Sequence, residues 1–321
     1  MTVPQRHGLT VPFEGVPLHE HKAWFEELEQ LGYTDLWSAE AGACDAFTPL
    51  ALAAAWAPKL RLGTAIVPAY TRGAATLAQT VAAMCQAAPG RFALGIGTSS
   101  DVIVERWNGI PFEKPYQRVR DTIRFLRAAL AGEKVTAEYE TFAVNGFRLG
   151  AAVEEMPPIL VAALRPGMLK LAGREGDGAI INWLSADDVK TVVPHVGEGK
   201  EIVARIFVFA TTDRDLVQYV GRRSIAAYLN VPVYAQFHEW LGRGAALAPM
   251  WDAWKAGDRA AATEAIPEEL IDQLIVHGTV DEIREHLARF VANGVTTPAP
   301  AIMGSGEEVR EVMRALAPNA G

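Results

Sequence analysis

The apolar residues of this chain alternate between short continuous runs and longer stretches with helical spacing. Short apolar runs without polar alternation are typical of strands buried on both faces, and apolar residues three or four apart predict helices. Val119, Ile123, Leu126 and Leu130 form the clearest helical stripe. The predicted strands cover residues 8–11, 34–39, 60–67, 92–96, 159–163, 178–181, 202–210 and 296–302.

Eight predicted strands that alternate with helices indicate an α/β fold with a parallel sheet. We expect a (β/α)8 TIM barrel, because closure leaves no strand edge exposed, and an open doubly wound sheet is the alternative. The 321 residues are expected to form one barrel domain, residues 1–321, with insertions near residues 131–156 and 231–275.

Turn and cap signals refine this prediction. Asn145-Gly146 suits the turn of a hairpin in the first insertion. Thr279 and Glu282 have the spacing of a capping box and predict the start of a helix. Pro298 and Pro300 weaken the prediction of the last strand, because proline has no amide hydrogen to donate to a neighbouring strand.

The composition is that of a protein with a large apolar core. Hydrophobic residues make up 50% of the chain, and 30 basic residues against 38 acidic ones give a net charge of −8. The sequence has no basic cluster suited to nucleic acid, no uncharged apolar run long enough to span a membrane, and no signal-peptide pattern at its start. We therefore expect a cytoplasmic protein that acts on a small molecule and binds neither nucleic acid nor membrane.

Metal and nucleophile motifs are missing from the sequence. Cys44 and Cys85 form no Cys-x-x-Cys pair, and among the seven histidines only His19 and His21 have a metal-like spacing, which we interpret as a surface pair whose side chains point apart. No Gly-x-Ser-x-Gly motif marks a hydrolase nucleophile. The sequence therefore predicts neither a metal site nor a catalytic triad.

The loops after the predicted strands carry the remaining candidates, because barrel enzymes act at the carboxyl ends of their strands. Residues 95–100 combine glycines with hydroxyls, which can hold a phosphate or form a simple turn. Arg165 precedes a predicted helix, where it would bind an anion or lie in solvent. Glu40 could exchange a proton, orient a polar ring or be only structural, and Asp45 is equally ambiguous.

Five segments in order resemble the luciferase-like monooxygenase superfamily, and within it the oxidoreductases that use the deazaflavin coenzyme F420. The resemblance covers almost the whole chain. It rests on residues 32–37 (GYTDLW) with Ala39-Glu40, 60–68 (LRLGTAIVP), 90–99 (GRFALGIGTS), 172–178 (AGREGDG) and 277–283 (HGTVDEI).

The resemblance implies a flavin-type ring at the carboxyl ends of the barrel strands. It implies a non-proline cis peptide bond behind the ring, in a bulge after the third strand, at Ala65–Ile66. Residues 162–168 match the loop and helix start that receive the phosphate-bearing tail, and Glu40 is the implied catalytic residue. The implied cofactor-binding residues are Thr64, Ala65, Ile66, Gly97, Thr98, Ser99, Ala162, Ala163, Leu164, Arg165, Pro166, Gly167, Met168 and Asn182.

Two departures from the family pattern narrow the expected reaction. Ala41 and Ser100 stand where some relatives that oxidise sugar phosphates have a histidine and a glutamate, so we do not expect sugar-phosphate oxidation. The resemblance implies a reductase or dehydrogenase that transfers a hydride between C5 of the deazaflavin and a small organic substrate. The alternatives are an FMN-dependent monooxygenase and a non-catalytic flavin-binding barrel. A homodimer is also implied, and residues 231–254 are expected to line or cover the pocket.

Overall fold

Parallel strands form the centre of the molecule. The computed structural model describes residues 3–150 and 153–319. In chain order its strands are β1 (Gly8–Val11), β2 (Asp35–Ser38), β3 (Arg61–Thr64), β4 (Val67–Pro68), β5 (Phe92–Gly97), β6 (Val135–Glu138), β7 (Ala143–Phe147), β8 (Ile159–Ala162), β9 (Gly178–Asn182), β10 (Glu201–Phe209), β11 (Ile275–His277) and β12 (Thr297–Ile302).

Helices connect the strands and cover the outside of the sheet. They are α1 (His21–Gln30), α2 (Phe47–Trp56), α3 (Ala74–Ala87), α4 (Pro115–Leu130), α5 (Pro166–Glu175), α6 (Val189–Val192), α7 (Arg214–Leu229), α8 (Pro232–Trp240), α9 (Gly244–Lys255), α10 (Arg259–Glu264), α11 (Glu268–Leu274), α12 (Val280–Ala292) and α13 (Gly306–Ala315). Thr279 and Glu282 form the predicted capping box at the start of α12. No described helix is long and apolar enough to cross a membrane.

The strands close into the predicted barrel. Neighbouring strands follow the order β1, β2, β3, β5, β8, β9 and β10, and β10 also pairs with β11 and β12. The ring is completed between β12 and β1, where the Arg6 amide donates to the Thr296 carbonyl at 2.9 Å and Thr10 Oγ1 donates to the Ala299 carbonyl at 3.1 Å. The (β/α)8 fold expected from the sequence is therefore confirmed.

The two prolines of β12 lie where a missing donor does little harm. The Met303 amide donates to the Val208 carbonyl at 2.8 Å, so the odd-numbered positions of β12 direct their amides toward β10. Pro298 and Pro300 therefore face β1, where the structure has no continuous backbone ladder. The prolines do not prevent the strand, because β12 keeps its full parallel pairing with β10.

An ion-pair network fills the amino end of the barrel. Arg61 makes a bidentate pair with Glu201, with nitrogen–oxygen distances of 2.6 and 2.9 Å, and its Nη1 lies 3.2 Å from Asp35 Oδ1. Thr297 Oγ1 donates to Glu201 Oε1 at 3.2 Å. Burial opposes the charge on Arg61, but the hydrogen bonds and charges of Glu201 and Asp35 outweigh it and raise the pKa of Arg61.

An apolar layer lies directly above this network. Alternate residues of a strand point to the same face, so the residues two positions beyond the charged ones also point inward. Trp37, Leu160, Ile180 and Val203 pack together in this layer. The intervening residues, such as Leu36 and Val161, belong instead to the core between the strands and the surrounding helices.

The segment near residues 131–156 contains a hairpin, but the predicted turn is wrong. Asn145 and Gly146 lie within β7, and the chain reverses at residues 139–142, where the Tyr139 amide donates to the Phe142 carbonyl at 2.8 Å. Gly146, with φ of +70°, lies beside an irregular register between β6 and β7, and its amide donates to Thr136 Oγ1 at 2.9 Å. The glycine therefore serves a bulge rather than a turn. Residues 151 and 152 lie outside the described residues.

Replacing Arg61 with Leu is expected to lower the free energy of unfolding by about 3–5 kcal/mol, because Glu201 then stays buried without a cation and Asp35 keeps only its pair with Arg6. Replacing both Arg61 and Glu201 with Leu should cost less than the single change. Urea unfolding followed by circular dichroism measures both effects.

The control is Arg124→Leu, which removes a half-exposed pair with Glu175 and should cost about 1 kcal/mol or less. An Arg61→Leu loss as small as that of the control would contradict a stabilising role for the buried network.

Candidate functional site

Inward-facing residues become small toward the carboxyl ends of the strands. Above the layer of Trp37 and Leu160, Asn182 and Arg205 point inward, but many of the inward positions have short side chains or none. These positions are Ala39, Ala65, Gly95, Gly97, Ala162 and Ala301. Ala39, Ala65 and Ala162 are partly exposed. The mouth of the barrel is therefore less filled by side chains than its lower part, and we call this region the hollow.

Two glycines shape one wall of this hollow. A Cβ atom on Gly95 would lie 1.9 Å from the Thr64 carbonyl oxygen, and one on Gly97 would lie 2.7 Å from the Ala162 Cβ. Neither position can carry a side chain without a shift of its neighbours. The Thr64 hydroxyl accepts from the Gly95 amide and donates to the Gly95 carbonyl, both at 2.8 Å, so it joins β3 to β5.

The bulge after β3 has the expected peptide geometry. The Ala65–Ile66 bond is cis and non-proline. The Ala65 amide donates to the Ser38 carbonyl at 2.6 Å, and the Glu40 amide donates to the Ile66 carbonyl at 3.1 Å. Ala65 and Ile66 pack on the apolar layer and remain partly exposed above it. This segment therefore forms the wall next to the glycines.

Glu40 lies beside the bulge and is held by a cation. Arg72 Nη1 forms an ion pair with Glu40 Oε1, and the Thr71 hydroxyl lies 3.5 Å from Oε2. Asp45 has a structural role at the start of α2, where it accepts hydrogen bonds from the amides of Phe47 and Thr48 at 2.8 and 2.9 Å. Burial opposes its ionisation, but the hydrogen bonds from Thr48 and Phe47 lower the pKa of Asp45.

The loop after β5 brings hydroxyls to the rim. Thr98 and Ser99 are partly exposed, and Ser99 adopts the left-handed conformation with φ of +60°, which is uncommon for a residue other than glycine. Ser100 is engaged locally, because its hydroxyl accepts from the Ile103 amide at 3.3 Å at the start of a π-helical segment, Val102–Trp107.

The loop after β8 has the features of an anion site. Arg165 is exposed and immediately precedes α5, and its side chain has no hydrogen bond or ion pair within the described residues. Pro166 occupies the first position of the helix, and the amides of Gly167 and Met168 belong to its unpaired first turn. Ala162, Ala163 and Leu164 join this loop to the hollow.

Asn182 ends β9, which together with β10 forms a further wall of the barrel mouth. Its side-chain amide donates to the Tyr234 hydroxyl at 3.2 Å, which links the barrel to α8. Arg205 lies next to Asn182 in the parallel register of β9 and β10. Val203 and Glu201 point inward on β10, so Arg205 also points inward. Sequence reasoning missed Arg205, although a single charged residue inside an otherwise apolar strand was a signal.

Aromatic residues complete this wall. Trp183 and Phe207 have ring centroids 4.2 Å apart, Trp183 and Tyr228 4.8 Å, and Tyr228 and Tyr234 6.1 Å. Tyr228 lies in the last turn of α7, shortly before α8 begins, and Tyr234 lies in α8. This part of the stretch expected to line or cover the pocket therefore contacts the barrel mouth through Tyr234.

The described residues contain no group of three or more His, Cys, Asp or Glu residues suited to a metal ion. Two depressions lie away from the mouth. One of about 310 Å³ is lined by residues that include Asp188, Arg243 and His286, and one of about 690 Å³ includes Tyr219 and Trp254. Neither contains any residue of the hollow.

Comparisons with known proteins agree with the architecture and indicate the chemistry of relatives. The family model described as luciferase-like monooxygenase matches residues 1–297. A Mycobacterium tuberculosis protein assigned to the coenzyme F420-dependent oxidoreductases is 26% identical over 344 aligned residues, which cover 97% of this chain and 99% of that protein.

Two solved structures share the fold. The coenzyme F420-dependent tetrahydromethanopterin reductase from Methanopyrus kandleri superposes with a TM-score of 0.78 at 19% identity, covering 98% of both chains. The oxygenating component of 3,6-diketocamphane monooxygenase from Pseudomonas putida, solved with FMN, gives a TM-score of 0.64 at 16% identity, covering 98% of this chain and 97% of its own.

A buried histidine beneath the aromatic wall leads to a pH prediction. His238 in α8 is fully buried, and neither ring nitrogen has a hydrogen-bond partner among the described residues. Burial, followed by the positive charge of Arg243, lowers the pKa of His238 from 6.5 to about 4, although Asp188 opposes the shift. The unfolded chain therefore binds a proton at this residue at a higher pH than the native protein does.

We expect the native protein to lose stability at His238 as the pH falls from about 6.5 to about 4, by about 3 kcal/mol in total. Urea unfolding of the native sequence and of His238→Leu, measured from pH 7 to pH 4, should show a shallower decline for the variant. His19→Leu, at an exposed position, is the control. Parallel curves for the native protein and His238→Leu would contradict the prediction.

Proposed function

The chain belongs to the luciferase-like monooxygenase family, and we propose that this oxidoreductase uses coenzyme F420 to act on a small organic substrate. A bound deazaflavin supplies hydride transfer at its ring carbon C5, and the protein contributes binding, orientation and electrostatics. The observation that carries the proposal is the position of Arg165, which follows Ala162 by three residues at the start of α5 and has no side-chain partner among the described residues.

The residues present fit a flat ring with polar edges. Gly95 and Gly97 let Ile180, Ala162 and Ile66 pack closely beside them, so this side of the site is formed by small and apolar groups. Thr98, after β5, and Asn182, at the end of β9, provide a hydroxyl and an amide at the rim of the hollow. On this proposal Thr64, Ala65 and Ser99 contribute through the bulge and the rim that they build, since the Thr64 hydroxyl is already engaged with Gly95.

The anion site fits a phosphate-bearing tail. Arg165 has no counter-ion among the described residues, and the first turn of α5 offers the amides of Gly167 and Met168. A charge-assisted hydrogen bond from a guanidinium, together with a helix amino terminus, is a common way to bind phosphate. We therefore assign the tail to residues 162–168.

Glu40 is proposed as the acidic group that meets the reacting side of the cofactor. Arg72 and Thr71 fix its carboxylate near the Ala65–Ile66 segment. A carboxylate held in this way can orient a polar edge of the ring or accept a hydrogen bond from it. Ala41 and Ser100 offer no acid or base beside it, which keeps sugar-phosphate oxidation outside the proposal.

Two other functions use the same barrel. The FMN-bound relative from Pseudomonas putida favours an FMN-dependent monooxygenase as the second candidate. A barrel that binds a flavin-like ligand without turnover is the third. Incubation of reduced F420 with enones, imines and nitro compounds separates it from an enzyme, since no oxidation of F420 by any of them would favour the non-catalytic alternative. The homodimer implied by the resemblance stays a prediction.

We expect the purified protein to bind F420 at least tenfold more tightly than FMN in absorbance and fluorescence titrations. Replacing Arg165 with Ala should weaken F420 binding about 10-fold, because a guanidinium contact to the anionic tail is lost. FMN binding at micromolar affinity without detectable F420 binding would contradict the proposal.

The matched control for Arg165 is Arg174→Ala on the same helix. Arg174 bonds to Tyr116 and Glu175 rather than facing the loop, so its loss should leave F420 affinity unchanged. Equal affinities for the Arg165→Ala and native proteins would refute the assignment of the tail to this loop.

A further inference from the structure

The barrel contains two inward-facing arginines with opposite surroundings. Arg61 at the amino end has two carboxylates, Glu201 and Asp35, within hydrogen-bonding distance. Arg205, higher in the same interior, has no hydrogen bond or ion pair from its side chain within the described residues. The nearest inward carboxylate on its own strand is Glu201, whose two oxygens are taken by Arg61.

The Arg205 guanidinium is also partly sealed from water. Its Nε is shielded from solvent and has no hydrogen-bond partner in the part of the chain that the structure describes. The carbon Cζ lies 4.8 Å from the centroid of the Phe207 ring, so the guanidinium extends toward the barrel mouth and gains a cation–π contact. A ring face accepts none of the in-plane hydrogen bonds of a guanidinium, so the buried Nε–H stays unsatisfied, which is costly.

The surroundings of Arg205 combine apolar rings with a few neutral polar groups. Asn182 and Ala299 flank it in the registers of β9 and β12. Burial raises the pKa of Tyr234, while its hydrogen bond with Asn182 and the charge of Arg205 oppose the rise, so the hydroxyl remains a neutral donor. The aromatic wall, which consists of Trp183, Phe207, Tyr228 and Tyr234, borders the space in front of the Arg205 guanidinium.

We propose that Arg205 binds the anionic group of the substrate, and that the substrate is a planar organic anion whose flat body packs against Phe207. This inference rests on the proposed function, because it assigns the ring to the wall formed by Ile66, Gly95 and Gly97 and the substrate to the wall formed by β9 and β10. An oxyanion provides the in-plane acceptors that Arg205 lacks, and Tyr234 can donate a further hydrogen bond to it. Carboxylate and phosphate share this chemistry.

The test measures binding of paired acidic and neutral probes to the full chain by isothermal titration calorimetry. The probes are trans-cinnamate against cinnamamide and benzoate against benzamide, with phenyl phosphate as the second kind of oxyanion. We expect each acid to bind at least tenfold more tightly than its amide. Arg205→Gln should weaken binding of the acids 10- to 100-fold and leave the amides unchanged. The ratio of phenyl phosphate to benzoate affinity identifies the preferred oxyanion.

Two further variants keep the result interpretable. Arg205→Lys retains the charge without the planar fork and should recover part of the preference for acids. Arg223→Gln, which removes an exposed arginine of α7, is the control and should behave as the native protein. Without ligand, Arg205→Gln should melt at a temperature no lower than the native protein, because it removes an uncompensated charge, and cinnamate should no longer raise its melting temperature.

The titrations are run with and without F420, so this proposal and the proposed function can fail separately. A preference for acids in the protein without cofactor supports the role of Arg205 even if F420 does not bind. Equal binding of acids and amides to the native protein would overturn the proposal. A loss of F420 affinity in Arg205→Gln, with the preference for acids intact, would also overturn it, since Arg205 would then hold the cofactor.

Discussion

The barrel interior is filled from one end only, and the remaining features of the molecule depend on that constraint. Arg61 and Glu201 close the amino end, and Trp37 with Leu160 covers them with an apolar layer. The strands are fixed at this layer. Beyond it, toward their carboxyl ends, Ala65 and its small neighbours do not fill the space between the strands. A close-packed interior normally leaves few voids larger than a water molecule, so an open mouth over a filled base is the expected form of a ligand site.

The walls of this hollow differ in shape and charge, so the cofactor and the substrate are expected to occupy different sides of it. One wall, with Ile66 and Gly97, is formed by small and apolar groups, and Arg165 lies at the amino end of α5. The wall formed by β9 and β10 has Arg205 and the aromatic rings next to α8. Within the described residues, two arginines without counter-ions therefore lie at separate places around the barrel mouth. On the proposed function, Arg165 holds the anionic tail of the cofactor and Arg205 the anionic group of the substrate, with the reacting atoms between them.

The sequence predicted the eight strands of the barrel from local pattern, and the resemblance implied the cis bond at Ala65–Ile66. It misplaced the hairpin turn because Gly146 suits a bulge as well as a turn, and only the pairing partner decides between them. Whether Pro298 would disrupt β12 depended on which neighbouring strand its nitrogen faces, because proline has no amide hydrogen to donate. Arg205 escaped notice because its lack of a partner is visible only when the interior of all strands is assembled.

The most direct test of the account is a crystal structure of the protein soaked with F420. The account predicts electron density for the deazaflavin ring in the hollow, against Ile66 and Gly97, with the phosphate-bearing tail at Arg165 and the ring carbon C5 open toward the wall that contains Arg205. Density for the ring outside the barrel mouth, or a tail that leaves the hollow away from α5, would contradict it.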